Sequence, residues 1–163
     1  MKLPLRIACL VSLAAILPAA LTSAATKTAK FKVTATVQSD CTVAATDLAF
    51  GTVGLIESNV DATSTITITC TPHTAYAVGL NEGTVAGSRI DNRKMRNGLS
   101  TLDFQLYSNP QRTQVWGTTD GVDTVGGSGT GLATNLTVYG RIPVQNTPAA
   151  GSYSTEITAT ITY

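Results

Sequence analysis

With 163 residues the chain can form one domain and a short extension, and 11 Lys+Arg against 10 Asp+Glu, a formal charge of +1, excludes a strongly basic nucleic-acid binder. Hydrophobic residues make up 43% and charged residues 13%, so the chain has material for a packed core and too few charges for a solvated disordered polymer. The single histidine, His73, leaves no His pair for a metal and no obvious general base, so neither catalysis nor a cofactor is expected.

The chain opens on Lys2 and Arg6, an apolar run from Ile7 to Leu17, Pro18, and a small-residue stretch ending Thr22-Ser23-Ala24-Ala25. This is the pattern of a secretory signal, and its run of about 11 residues falls well short of the roughly 20 that span a bilayer. Cleavage after Ala24 and after Ala25 fit equally well; residues 1–24 are taken as the signal. Cys9 lies at the front of the apolar run and not at its end, the wrong place for a lipid anchor, and it leaves with the signal. Removing Lys2 and Arg6 leaves nine basic against ten acidic residues, so the exported chain is nearly neutral.

Residues 25–40 read as an N-terminal arm. Ala29, Phe31, Val33, Ala35 and Val37 alternate with Lys30, Lys32, Thr34, Thr36 and Gln38, the period of a strand with one apolar face. Nine residues at about 3.3 Å each reach roughly 30 Å, the length of a sandwich. Such a face needs a place to be buried.

The domain proper is expected over residues 41–163. Cys41 and Cys70 are the two cysteines left after export to an oxidising compartment, and their spacing is far from the close C-x-x-C of a redox pair, so a structural disulfide is expected. No stretch of the exported chain sustains a helical period. Strands are expected, in order, around Leu48 to Val53, over Thr65 to Cys70, from Thr74 to Leu80 after a Pro72-His73 turn, and around Arg89 to Met95. Further strands are expected from Leu102 to Tyr107, from Leu136 to Ile142, and from Tyr153 to Tyr163. Six or seven short strands at this spacing make an all-β immunoglobulin-like sandwich the economical architecture. Arg89, Arg93, Lys94 and Arg96, with Asp91 among them, read as a solvated edge. The stretch from Asp120 to Gly131 lacks both the Lys of a phosphate loop and the offset Glu of a calcium loop, and reads as a flexible surface loop.

Taken together, the alternating arm before Cys41-Thr42-Val43, then Phe50-Gly51-Thr52, Thr65-Ile66-Thr67-Ile68-Thr69-Cys70, Leu102-Asp103-Phe104-Gln105-Leu106-Tyr107, Val115-Trp116-Gly117, Val138-Tyr139-Gly140-Arg141-Ile142 and Gly151-Ser152-Tyr153 resemble the spore coat protein U domain family. Its members include subunits of archaic chaperone-usher pili. The resemblance covers essentially the whole exported chain. It implies an incomplete immunoglobulin-like fold lacking its last strand, whose groove is filled by the arm of a neighbouring subunit. Ala29, Phe31, Val33, Ala35 and Val37 would then form the donor strand. The implied partners are identical or related pilin subunits joined head to tail, a periplasmic chaperone and an outer-membrane usher, and the implied destination is the periplasm and then the cell surface or the medium. The residues agree independently, because the sequence given stops on a strongly alternating strand while a free apolar strand stands at its other end, and matching one to the next makes a contact that does not close. Two readings stay open: Ser39-Asp40 is short enough for a hairpin within one chain, and a secreted monomeric coat or binding protein would show the same landmarks.

Overall fold

The computed structural model describes residues 23–163, so the signal segment and Cys9 lie outside the described residues save for its last two positions. The chain divides into two units, Met1–Ala35 and Thr36–Tyr163. The described part of the first, residues 23–35, forms no helix and no hydrogen-bonded strand.

The second unit is all β, with eight strands: β1 Cys41–Ala45, β2 Val60–Cys70, β3 Ala75–Leu80, β4 Arg93–Asn97, β5 Ser100–Tyr107, β6 Val125–Ser128, β7 Thr134–Ile142 and β8 Ala159–Thr162. They form a five-stranded sheet in the order β1-β2-β7-β5-β4 and a three-stranded sheet in the order β6-β3-β8, all pairs antiparallel. Alternation in β2, β5 and β7 turns Ile66, Ile68, Leu102, Phe104, Leu106, Val138 and Ile142 inward, where they meet Val78 and Leu80 of β3 and the fully buried Trp116. The indole N–H of Trp116 donates to the Val78 carbonyl at 2.8 Å, so the largest core side chain carries no unpaired polar atom.

Cys41 and Cys70 form the expected disulfide, joining the first residue of β1 to the last of β2. In chain-entropy terms, a closed loop of this length stabilises by on the order of 3–4 kcal/mol. The double variant Cys41→Ala/Cys70→Ala is therefore expected to lose about that much in urea unfolding, with the β1 end fraying first. A loss under about 1 kcal/mol would mean that the β1–β2 ladder holds without it. The Pro72-His73 turn is also present: the Thr74 N–H donates to the Thr71 carbonyl at 3.2 Å, and His73 sits at φ 67°. Positive φ at the residue after proline is a position of the type II kind, tolerable for His and strained for a β-branched residue. His73→Val should cost about 1 kcal/mol and His73→Asn close to nothing, as read by thermal unfolding.

Four expectations are corrected. The strand around Leu48 to Val53 has no ladder partner, and only the last part of the Tyr153 to Tyr163 run, β8, is paired along its length. The glycine-rich stretch is not wholly a loop: β6 lies within it and pairs with β3, because Gly127 has no side chain to collide with the Tyr76 ring. Arg93 is not on a solvated edge but fully buried. Strand alternation explains this, since Arg93 and Met95 share the inward face of β4 while Arg96 faces solvent and Lys94 reaches Asp103 at 2.6 Å. The Arg93 guanidinium donates to the carbonyls of Asn81 (2.8 Å), Leu80 (2.8 Å), Trp116 (2.6 Å) and Ile90 (3.3 Å) and to the Gln105 side chain at 2.6 Å. Burial lowers its pKa to about 10, still charged at neutral pH. One cation thus ties the end of β3, the Trp116 segment, β4 and β5 together.

Candidate functional site

Between β1 and β2 the chain runs from Thr46 to Asn59 without regular structure, along one margin of the sandwich. Thr46 still pairs with Thr65, and the Ile56 N–H donates to the Thr147 hydroxyl at 2.8 Å. From Asp47 to Leu55, however, no backbone N–H or C=O hydrogen-bonds to any described residue. Nine consecutive unpaired peptide groups are the signature of a sheet edge awaiting a strand. The segment is held in place by its side chains. Leu48 and Phe50 turn inward, and Phe50 meets Phe104 edge to face with centroids 6.3 Å apart. Gly140 in β7 makes this seat possible, for a Cβ there would come within 2.8 Å of Leu48 and 3.0 Å of Phe50.

The opposite margin is the run leading into β8. Ser154 exchanges backbone hydrogen bonds with Arg96 of β4 at 3.0 and 3.2 Å, the Glu156 N–H donates to the Thr84 hydroxyl at 3.4 Å, and Thr158 pairs with Asn81. The alternate residues, Tyr153, Thr155 and Ile157, direct their side chains inward, and their backbone N–H and C=O groups bond to no described residue. Each strand residue presents its peptide groups to one side only, so one side of this run is occupied by the sheet and the other is open.

Between these two margins lies an elongated cavity of about 1360 Å³. Its floor is the core itself: Ile66, Leu80, Phe104, Leu106, Val138 and Ile142 all line it. An apolar trough flanked on both sides by unpaired backbone fits an extended peptide whose alternate side chains point inward. It offers nothing to a metal, since among the described residues no cluster of three or more His, Cys, Asp or Glu occurs.

All five residues expected to form the donor strand, Ala29, Phe31, Val33, Ala35 and Val37, are exposed, with Phe31 at 88%, Val33 at 80% and Val37 at 85%. They bear the complementary pattern, one apolar face and no ladder. The open run from Asp47 to Leu55 is the part that sequence reasoning misread as a paired strand. Its signal was present in the alternation Leu48, Phe50 broken by Gly51 and Gly54, a strand-like pattern too punctuated to complete a ladder.

Known proteins share the sequence pattern and the fold of this chain. The sequence pattern of the Spore Coat Protein U domain matches residues 27–160. Protein U of Myxococcus xanthus is 33% identical over 168 aligned positions, covering 93% of this chain and 92% of that protein. Among solved structures, the chaperone-tip adhesion subunit pre-assembly complex CsuC-CsuE, from the archaic chaperone-usher Csu pili of Acinetobacter baumannii, contains a chain that superposes with a TM-score of 0.56 at 23% identity. The match covers 78% of this chain and 41% of that one, and what it shares is the immunoglobulin-like fold.

Proposed function

The chain belongs to the spore coat protein U domain family, and we propose that it is a structural subunit of a surface fibre, polymerising by insertion of the N-terminal arm of one copy into the groove of the next. The observation that carries this reading is the groove with two unpaired margins, open along the core of a chain that also bears an exposed strand of matching alternation. Inserting Phe31, Val33 and Val37 contributes about 1.5–3 kcal/mol per side chain, and a main-chain ladder on both sides adds to it. A junction of that strength is long-lived.

The rest of the assembly route is what membership of the family implies. A groove with unpaired edges and an open core would aggregate if left empty, so a periplasmic chaperone covers it after export and an outer-membrane usher exchanges that cover for the next arm. The product reaches the cell surface, where attachment or biofilm formation is its use. The purified, unboiled protein is expected to run as a ladder of oligomers on a denaturing gel and to collapse to monomer on boiling. A single unladdered band, heated or not, would replace this reading with that of a secreted monomeric coat or binding protein.

A further inference from the structure

Charge is divided between the groove and the arm. Of the described residues that line the cavity two are charged, and both are acidic: Asp47 on one margin and Glu156 on the other. Each is exposed on the outward side of its margin, since Leu48 and Phe50 turn inward beside the first, and Thr155 and Ile157 beside the second. Neither has a cation within ion-pair distance among the described residues. The two also stand level across the groove. The Tyr163 O–H donates to Asp40 Oδ1 at 3.2 Å, and Asp47 lies seven residues after Asp40 while Glu156 lies seven before Tyr163. The arm is the converse. Over residues 25–38 its charged residues are Lys27, Lys30 and Lys32, all basic, all exposed and all without an acidic partner among the described residues. With Phe31 and Val33 on its apolar face, Lys30 and Lys32 fall on the opposite one.

We propose that the groove selects the arm of an identical copy by charge, with Lys30 and Lys32 of the incoming arm pairing with Asp47 and Glu156 of the acceptor. This rests on the donor-strand reading and adds what an apolar trough cannot supply, a means of telling one alternating strand from another. A strand lying in the groove is about 4.8 Å from each margin, so an ammonium on its outward face has a carboxylate to either side. All four groups stay in contact with water. Their pairing therefore adds little to how long a junction lasts and acts on how fast, and with which strand, it forms. A strand carrying acidic residues at the same positions meets two like charges, and a slip by one residue turns both lysines onto the apolar floor. Partner and register are thus read by the same two carboxylates.

The test is reassembly of the full exported chain after dissociation in hot denaturant, followed as the growth of the unboiled ladder at low salt. Reversing the groove, Asp47→Lys/Glu156→Lys, or the arm, Lys30→Glu/Lys32→Glu, is expected to slow assembly about tenfold. Most of that difference should vanish in about 1 M salt, where the screening length is roughly 3 Å. All four positions are exposed, so the sandwich itself is unaltered. The chain with all four substitutions should assemble within about twofold of the parent rate, because its pairs are restored with the signs exchanged. An equal mixture of the two reversed chains should also assemble, since the arm of each fits the groove of the other, and this shows that neither is merely misfolded. Parent-like rates in both reversed chains at low salt, or a four-substituted chain as slow as either, overturns selection by charge and leaves the donor-strand reading standing. Absence of any ladder in the parent protein overturns both.

Discussion

Deleting residues 26–38 is expected to abolish the oligomer ladder altogether while leaving a folded, disulfide-closed sandwich. None of the buried core residues lies in that segment, and its apolar side chains are exposed in the single chain, so the domain loses nothing that holds it together. What is lost is the apolar filling of another copy's groove and the strand that would satisfy Asp47–Leu55 on one side and Tyr153, Thr155 and Ile157 on the other. A point substitution makes the same test with a control built in. Val33→Asp places a carboxylate over a trough floored by core residues, which costs several kcal/mol with no partner to offset it, whereas Thr34→Asp falls on the opposite, solvent-facing side of the arm. Val33→Asp should therefore reduce oligomers by orders of magnitude and Thr34→Asp only slightly. Mixed with parent protein, the Val33→Asp chain keeps an intact groove, so it still accepts an arm and terminates growth in one direction. Equal assembly by the two variants, or fibres without residues 26–38, would show that the arm is not the donor strand.

The second large effect is expected at Arg93. Arg93→Met keeps much of the volume and removes every donor, leaving the carbonyls of Leu80, Asn81 and Trp116 buried without the partner they have now. Each buried acceptor left unpaired costs about 1–3 kcal/mol, so a total on the order of 3–5 kcal/mol, and a fall in Tm of more than about 10 °C, is expected. Arg93→Lys keeps a positive charge but cannot reach partners in four segments from one nitrogen, and should recover only part of the loss. Thermal unfolding of the two variants, read by near-ultraviolet circular dichroism around Trp116, checks both values. A change below about 1 kcal/mol for Arg93→Met would mean that the carbonyls find other donors or water.

Much of this molecule is legible in the residues. Period-two alternation in Thr65–Cys70, Leu102–Tyr107 and Leu136–Ile142 names three strands of the larger sheet and their inward faces, and the same period marks the arm. Two surviving cysteines in an exported chain name the bridge. These signals are local, or follow from counting.

What the sequence could not express is how strands are shared between sheets and which of them lack a neighbour. Leu48–Phe50 and Tyr153–Ile157 have the composition of paired strands, and only the tertiary arrangement leaves the first with no ladder partner and the second with one open side, because hydrogen-bond partners along a margin are set by strand order and not by local pattern. Arg93 is the same lesson in a single side chain. Amid Arg89, Lys94 and Arg96 its charge reads as solvent-facing, yet its parity along β4 turns it inward to the carbonyls of Leu80, Asn81 and Trp116, with the Ile90 carbonyl and the Gln105 side chain beside them. Burial of a cation is decided by whether enough acceptors converge on it, and convergence is a property of the folded chain alone.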